Sequence, residues 1–381
     1  MLVELSSEQE ALRDTTARFL DDHLPFDEVK RLREDPLGYS PKLWERAAEL
    51  GWTAMLADEE SGGGSVSGSP LLDLTLFAFE IGKRAAPGPL VPVNVVIAAL
   101  DAAGSHPEVL GSLLAGTSVA TWAVLEPEPG DVFALPAVTI TANGDDVVLS
   151  GVKRPIETAF GADHLLVTGR TGDGWSQVLV PTDTTGLTLA PMQSIDLTRR
   201  FAAATFADVR LPMSALVGAL GAAEDQVRRQ QMIATVAYAA ESVGAMQRAF
   251  DMALAWSFDR YSFGRPLASY QEIKHRFADM LTWLEASHAI TDAAAQSVDA
   301  GSADAPDLVS AAASYVGHYG AELVHDCVQM HGGIGVTFEH DLHLLVRRVA
   351  VNRALHGTPA EHRRHLADLA IARLEDAEGA P

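Results

Sequence analysis

The chain has 381 residues, of which 48% are hydrophobic and 21% charged, a composition typical of a soluble globular protein with room for two or three cores. Its formal net charge of −23 argues against nucleic acid or an anionic membrane as the main partner. No apolar run is long enough to predict a membrane span, and the acidic start MLVELSSEQEALRD is unlike a signal peptide. The single cysteine, Cys327, excludes an internal disulfide, so we expect a cytoplasmic protein.

The N-terminal stretch, residues 1–117, has the pattern of helices. Apolar residues at helical spacing follow the sequence Ser-Ser-Glu-Gln, which is typical of a helix N-cap. A second apolar stripe includes Trp44 and Trp52. We interpret SGGGSVSGSP, at residues 61–70, as a flexible loop before the apolar helix LLDLTLFAFEIGKR.

The pattern changes to short strand-like runs at residues 118–222. Runs such as VATWAVL, HLLVTG and SQVLVP are separated by turn residues, and Asn143-Gly144-Asp145 predicts a β-hairpin. Helical spacing returns at residues 223–381, with long apolar stripes that are typical of a bundle. We therefore predict an α+β fold with three domains. These are an N-terminal helical domain (1–117), a middle β-barrel or β-sandwich domain (118–222) and a C-terminal four-helix bundle (223–381).

Two runs in the C-terminal domain carry the strongest functional signal. The first, RYSFGRPLASYQ, begins at Arg260 and contains Phe263. The second begins QMHGG, with Gln329 followed by Gly332 and Gly333. Two glycines after a helix are expected to leave bare backbone amides that can hold the phosphate or ribose of a nucleotide. The alternatives are a plain glycine-rich turn and, for Arg260, an ordinary surface ion pair.

Together the two runs resemble the C-terminal signature of the acyl-CoA dehydrogenase family, in which R-x-x-F-G-x-P and Q-x-x-G-G bind the ADP end of FAD. The resemblance extends over nearly the whole chain. It implies FAD as the cofactor, and no metal ligands are expected. The implied cofactor-binding residues are Arg260, Phe263, Gln329, Gly332, Gly333 and Thr358, the last being what remains of an E-G-T motif.

The same resemblance indicates that the catalytic carboxylate is missing. An acyl-CoA dehydrogenase needs a base for the α-proton, and the family carries a Glu in Y-E-G-T or in the helix before R-x-x-F-G. Those positions hold His356 and Ala234. An imidazole can act as a base near neutral pH, but we interpret His356 as a structural residue. Glu241 lies about 10 Å from Ala234 along the helix axis, so we interpret it as a buried carboxylate paired with a neighbour.

Contacts to the flavin ring are also eroded relative to the family pattern. T-E-P-x-A-G-S-D becomes LEPEPGD at residues 125–131, which begins with a side chain that cannot donate a hydrogen bond. K-x-W-I-T becomes KRPIE, so Pro155 replaces the Trp and Glu157 replaces the Thr. Thr158, one position later, could restore a hydroxyl. The helix arginine that serves the thioester in the family aligns with Thr235.

In this family each FAD lies across a dimer interface, with its ring in one subunit and its ADP portion against the neighbour. We therefore interpret the chain as the non-catalytic subunit of an α2β2 enzyme, resembling actinobacterial dehydrogenases of steroid side-chain CoA thioesters. The expected partners are a homologous catalytic subunit, which would bind most of the acyl-CoA, and an electron-transfer flavoprotein as acceptor. Two alternatives remain open. One is a self-sufficient homotetramer with an atypical base such as His356, and the other is a non-enzymatic assembly module.

Overall fold

The structure, a computed structural model, describes residues 4–127 and 134–379, with side chains up to residue 375. Helices precede the sheet: α1 (Ser7–His23), α2 (Phe26–Leu32), α3 (Pro41–Glu49), α4 (Pro70–Arg84), α5 (Leu90–Ala102) and α6 (Pro107–Leu114). The strands follow: β1 (Ala120–Ala123), β2 (Thr139–Asn143), β3 (Asp146–Glu157), β4 (His164–Thr171), β5 (Gly174–Pro181), β6 (Leu187–Met192), β7 (Phe201–Pro212) and β8 (Leu216–Val217). The C-terminal part contains α7 (Glu224–Asp259), the short strands β9 (Tyr261–Ser262) and β10 (Arg265–Pro266), α8 (Gln271–Asp299), α9 (Ala305–His331), α10 (Leu342–Asn352) and α11 (Pro359–Gly379). This order confirms the predicted α+β fold class.

The start of α1 is fixed by the N-cap that the sequence predicts. The Ser6 hydroxyl accepts a hydrogen bond from the backbone amide of Gln9, and the Gln9 side chain accepts one from the Ser6 amide. This reciprocal pair satisfies two amides that a helix N-terminus otherwise leaves without partners.

The loop at residues 61–70 differs from the expectation of a flexible segment. The buried carboxylate of Asp73 accepts hydrogen bonds from the hydroxyls of Ser65 (2.6 Å) and Ser67 (2.8 Å) and from the Ser67 amide (3.1 Å). A Cβ added at Gly63 would lie 2.4 Å from the Ala57 carbonyl oxygen, so the backbone passes too close for any other residue. The serines and glycines therefore hold a defined loop, and the flexible interpretation was wrong.

Two compact units divide the described chain. The helical unit contains residues 4–29, 75–86 and 235–379, and the sheet unit contains residues 30–74, 87–127 and 134–234. These units cut across the three predicted stretches, because most of α4 belongs to the helical unit and the first turns of α7 belong to the sheet unit. The domain boundaries at 117/118 and 222/223 stay a prediction.

The sheet unit is built on one twisted sheet with strand order β6-β7-β3-β2-β4-β5-β8, to which β1 adds by parallel pairing with β4. The predicted hairpin is confirmed, since β2 and β3 pair antiparallel from Asn143 and Asp146 outward, with Gly144 at φ 66°. Apolar side chains of β2 to β7, including Ile140, Leu149 and Val178, form the core of this unit.

In the helical unit, α7 is buried on every face from Thr235 to Met246. Its closest neighbour is α4, and two glycines allow the approach. A Cβ added at Gly82 would lie 1.9 Å from the Glu241 carbonyl oxygen, and one added at Gly244 would lie 1.9 Å from the Phe79 carbonyl oxygen. The two backbones are therefore in direct contact at this crossing. Helix α9 packs against α8, α10 and α11.

A buried ion pair links α7 and α10 within the same unit. The Arg348 guanidinium donates to the Glu241 carboxylate and to the carbonyls of Ala85 (3.0 Å) and Ala86 (3.1 Å), just beyond the end of α4. The second Glu241 oxygen accepts from the Asn352 amide at 3.2 Å. Both charged side chains are excluded from solvent, with 0% and 3% of their surface exposed. This network confirms that Glu241 is a paired structural carboxylate.

Candidate functional site

The chain forms a tight hairpin directly after α7, at the first predicted motif. Arg265 pairs with Ser262 and Pro266 with Tyr261, so Phe263 and Gly264 are the two residues of the turn. Both have positive φ, 48° and 80°, as a type I′ turn requires. Glycine adopts that conformation freely, whereas phenylalanine does not. Nevertheless the Phe263 side chain is 97% exposed, so nothing within the described chain covers it.

The hairpin is held in one shape by contacts at its base. The Arg260 carbonyl accepts from the Leu267 amide at 2.8 Å, and the Tyr270 hydroxyl donates to the Ser262 carbonyl at 2.8 Å. The Arg265 guanidinium lies 3.8 Å from the centre of the Tyr270 ring. Arg260 itself is exposed at this base. The hairpin therefore presents a cation and an aromatic ring on a preformed backbone.

The second predicted motif lies at the C-terminal end of α9. Gln329, Gly332 and Gly333 are all exposed. Gly332 has φ 67° and ψ −141°, a combination that only glycine adopts readily. Its amide donates to the carbonyls of Val328 and Gln329, so the expectation of two bare amides was wrong for this residue. A Cβ added at Gly332 or Gly333 would meet nothing within 4 Å, so open space lies beside both.

The structure brings the two motifs together through two aromatic residues. Trp256 lies one helical turn before Arg260, and His331 immediately precedes Gly332. Their rings are stacked, with centroids 5.7 Å apart and planes 19° from parallel. Trp256 lies outside both motifs, and His331 occupies a variable position of Q-x-x-G-G, so no local pattern indicates that the two rings meet.

Thr358 has a structural role that the sequence analysis missed. Its hydroxyl accepts from the Glu361 amide at 3.3 Å, and its own amide donates to the Glu361 carboxylate at 2.6 Å. Pro359 follows at the first position of α11. The signature T-x-x-E was present in the sequence and predicts this N-cap. Capping thus accounts for a threonine here without any ligand.

His356, which the family resemblance predicts to stand in place of a catalytic glutamate, is packed against another ring. It stacks on Tyr238 with centroids 5.6 Å apart, and its carbonyl accepts from the His362 side chain at 3.1 Å. Its φ of 55° is in the left-handed region. Burial, with a smaller contribution from His362, lowers the pKa of His356 to about 4, so the ring is neutral at pH 7. These contacts support the structural interpretation of His356.

A small cavity in the helical unit is lined by the chain neighbours of His356, Leu355 and Gly357. The cavity has a volume of about 20 Å³, and Thr235 and Tyr238 also line it. That volume holds about one water molecule. The other expected base position, Ala234, is a buried side chain without a polar atom.

The described residues that we predict to correspond to the family's flavin-ring positions lie in the sheet unit, where Lys153 and Glu126 form an ion pair. Lys153 is fully buried and donates to the Glu126 carboxylate at 2.6 Å, while Glu126 also accepts from the amides of Ala137 and Val138. Burial lowers the pKa of Lys153 to about 8, although Glu126 opposes the shift. Residues 128–133 of the shortened turn lie outside the described residues, so that change stays a prediction.

Glu157, which we predict to stand at the position of the family's threonine, forms a buried ion pair with Arg199 at 3.1 Å. A carboxylate committed to a guanidinium cannot serve as a hydroxyl-type donor. Thr158 is buried and has φ 59°, and its amide donates to the Arg200 carbonyl at 2.8 Å. These positions are filled by interactions within the chain. Among the described residues, no group of three or more potential metal ligands comes together.

Comparison with known proteins matches both ends of the chain to one family. Residues 6–108 match the family description "Acyl-CoA dehydrogenase, N-terminal domain", and residues 225–371 match "Acyl-CoA dehydrogenase, C-terminal domain". The acyl-CoA dehydrogenase IpdE2 of Mycolicibacterium smegmatis is 32% identical over 95% of this chain and 98% of its own length. IpdE2 of Mycobacterium tuberculosis is 27% identical over 94% and 96%.

Solved structures agree. The chain superposes on a variant of the Tcur3481-Tcur3483 steroid ACAD with a TM-score of 0.88 and 25% identity, covering 97% of this chain and 99% of that one. Butyryl-CoA dehydrogenase from Megasphaera elsdenii gives a TM-score of 0.88 at 22% identity, with 97% and 100% covered. The second likeness supports the fold alone. In the part of the chain that the structure describes, no helix has the length and apolar character needed to cross a membrane.

Proposed function

The chain belongs to the acyl-CoA dehydrogenase family, and we propose that it is the non-catalytic subunit of a heterotetrameric, FAD-dependent member of that family. In this proposal it supplies the ADP side of the FAD site, while a homologous catalytic subunit supplies the flavin-ring side. The residues that would contact FAD are Arg260, Phe263, Gln329, Gly332, Gly333 and Thr358.

The proposal rests mainly on the backbone conformation and the solvent exposure of Phe263. A bulky residue in left-handed backbone costs about 1–2 kcal/mol, and a phenyl ring in water forgoes about 1.5–3 kcal/mol of burial. Phe263 bears both costs, with φ 48° and 97% of its surface exposed. A ligand or partner that covers the ring would recover the second cost. The rigid hairpin would then be preorganised for that contact.

The residues of the helical unit fit the diphosphate end of FAD. An exposed guanidinium at Arg260 can make charge-assisted, bidentate bonds to phosphate, and the Phe263 ring can stack on a planar group. Open space beside Gly333 allows close approach of a ligand backbone. When bound, FAD supplies the acceptor for the β-hydride of the acyl-CoA. Thr358 stays in the proposal only as a hydroxyl donor, because its oxygen already caps α11.

The ring half of a site does not fit within this chain. Leu125 has no donor, Glu157 is paired with Arg199, and no carboxylate occupies either family base position. The chain's contribution to catalysis would therefore lie in binding and orienting the cofactor of another subunit. Proton abstraction would be left to the partner's carboxylate.

A bulky, steroid-like acyl-CoA is the substrate class that we propose. One structural relative at 25% identity is described as a steroid ACAD and carries two protein names, which supports both the substrate class and a two-protein assembly. Fewer active sites per tetramer would also leave more room for a polycyclic acyl group. An electron-transfer flavoprotein is the proposed electron acceptor, by family resemblance.

Two other functions fit less well. A homotetramer using His356 as base would need an acyl group near a ring stacked on Tyr238, beside a cavity of about 20 Å³. A non-enzymatic module would have no use for an exposed, strained Phe263 next to Arg260. The same purification experiment separates all three functions.

Flavin content is the decisive measurement. We expect the chain expressed alone to carry no FAD and to run as an aggregate or a weak dimer in size-exclusion chromatography with light scattering. Co-expression with a homologous acyl-CoA dehydrogenase encoded nearby should give a stable tetramer with two FAD per four chains. A monodisperse homotetramer with bound FAD and turnover would instead support the self-sufficient enzyme. A flavin-free product in both cases would support the assembly module.

Replacing His356 by alanine tests whether it is a base. In the assembled enzyme we expect turnover to fall by less than about tenfold, or about 1.4 kcal/mol of barrier, because only packing against Tyr238 is lost. Replacing the partner's base by glutamine is the positive control, with an expected loss of roughly 10²–10⁴. A comparable loss for His356→Ala in steady-state kinetics would refute its structural interpretation.

A further inference from the structure

We propose that Trp256 and His331 are positioning residues that hold the Arg260–Phe263 hairpin and the Gly332-Gly333 turn in register for one dinucleotide. The inference rests on the proposed function and identifies what aligns the two halves of that site. Trp256 lies outside both motifs, and His331 is one of the two unspecified residues of Q-x-x-G-G.

The stacked rings connect the two turns closely, because each ring belongs to the end of the helix that leads into one of the turns. The Arg260 amide donates to the Trp256 carbonyl at 2.9 Å, so Trp256 is the residue directly beneath Arg260 on the last turn of α7. His331 is the final residue of α9, and Gly332 follows it in the chain. With ring centroids 5.7 Å apart and planes 19° from parallel, the contact spans the gap between the ends of these helices. A shift of either ring would carry one motif away from the other.

His331 is itself held in place on three sides. Its Nδ1 donates to the Cys327 carbonyl at 2.7 Å, which fixes the ring one turn back along α9. The His340 ring packs against its other side, with centroids 4.5 Å apart at 60°. Only 5% of His331 is exposed. The ring is thus a rigid surface for Trp256 rather than a mobile side chain.

Trp256 contacts His331 through the face of its indole ring, and its polar atom, Nε1, takes no part in that contact. In the described part of the chain, the buried indole Nε1 has no hydrogen-bond acceptor. Hydrogen bonding within the chain therefore gives no reason for tryptophan at this position, whereas the stack does. This difference provides a matched pair of variants: Trp256→Phe keeps an aromatic face and removes the N–H, and Trp256→Leu keeps apolar volume and removes the face.

The test measures FAD affinity and stability separately in the co-expressed complex. FAD is titrated into the flavin-free complex by fluorescence quenching, and the same samples are followed by thermal unfolding. We expect Trp256→Leu and His331→Ala each to weaken FAD binding by roughly threefold to tenfold, the range of an aromatic pair. Trp256→Phe should stay within about twofold, and the double variant Trp256→Leu/His331→Ala should lose no more than the worse single variant.

Two results would overturn the proposal. One is an additive loss in the double variant, because residues that act only through each other cannot contribute independently. The other is a lower unfolding temperature with unchanged FAD affinity, because that is the behaviour of ordinary core residues. Arg260→Ala in the same titration separates this inference from the proposed function. If Arg260→Ala weakens FAD binding and Trp256→Leu does not, the stack alone has no positioning role. If neither does, the half-site proposal fails first.

Discussion

Replacing Arg348 by methionine is expected to destabilise the chain by about 3–5 kcal/mol, the cost of leaving one buried charge without its partner. The guanidinium is fully buried and bonds the Glu241 carboxylate as well as the carbonyls of Ala85 and Ala86. Methionine is of similar size but supplies no donor, so the Glu241 carboxylate loses its guanidinium partner and keeps the bond from Asn352, while the two carbonyls lose the bonds that Arg348 donates. Urea unfolding followed by circular dichroism measures the difference.

Two further variants make this result specific. Arg347→Met, on the neighbouring and partly exposed residue, should cost about 1 kcal/mol or less, because that guanidinium packs over the Phe338 ring near solvent. Combining Arg348→Met with Glu241→Leu should recover a large part of the loss, because no unpaired carboxylate remains. A loss below about 1 kcal/mol for Arg348→Met alone would contradict the burial argument.

Replacing Arg260 by alanine is expected to weaken FAD retention by the complex roughly tenfold to a hundredfold. A charge-assisted contact between the guanidinium and the diphosphate is worth about 1.5–3 kcal/mol, and alanine removes it entirely. Excess FAD should restore activity, because the partner's base and ring contacts are untouched. Arg260→Lys should recover only part of the affinity, since an ammonium cannot reproduce the two parallel bonds.

Flavin absorbance after desalting gives the occupancy of each variant. Arg228 is the matched control, because it is an exposed arginine on α7 whose guanidinium pairs with Glu224 one turn away. Arg228→Ala should leave the flavin content unchanged. Full flavin retention in the Arg260→Ala complex would make Arg260 a surface arginine, and the cross-subunit assignment would be wrong with it.

Helix caps and tight turns could be predicted from the sequence, because the residues that determine them lie within a few positions of one another. The capping box at Ser6 and Gln9 and the hairpin at Gly144 follow from turn and cap preferences, and both are present. The capping box of Thr358 and Glu361 follows the same rule, although Thr358 also lies in the remnant of the family's E-G-T motif. The resemblance of the motifs also identified the fold class correctly.

Contacts between distant parts of the sequence could not be predicted. Nothing near Trp256 indicates that it stacks on His331, and nothing near Glu157 indicates its pairing with Arg199. The apolar stripes predicted within residues 223–381 imply helices with one buried face, whereas the middle of α7 is buried on every face. A helix of that kind has no polar side that would define a stripe. The flexible loop was mistaken for a similar reason, since Asp73 lies outside the serine-glycine run that it holds.

The close crossing of α4 and α7 limits which residues of these helices can be substituted without changing the fold. At Gly82 and Gly244 even a methyl group would overlap the opposite backbone, so a substitution at either position must push the helices apart. Ala234, on the same helix, is a buried side chain at a position where the family resemblance predicts a carboxylate, and it is not one of the residues that meet at that crossing. A single substitution at such a position can therefore remove a catalytic side chain from α7 while the packing of α7 against α4 is retained. A subunit can in this way lose its catalytic residues while its fold is conserved.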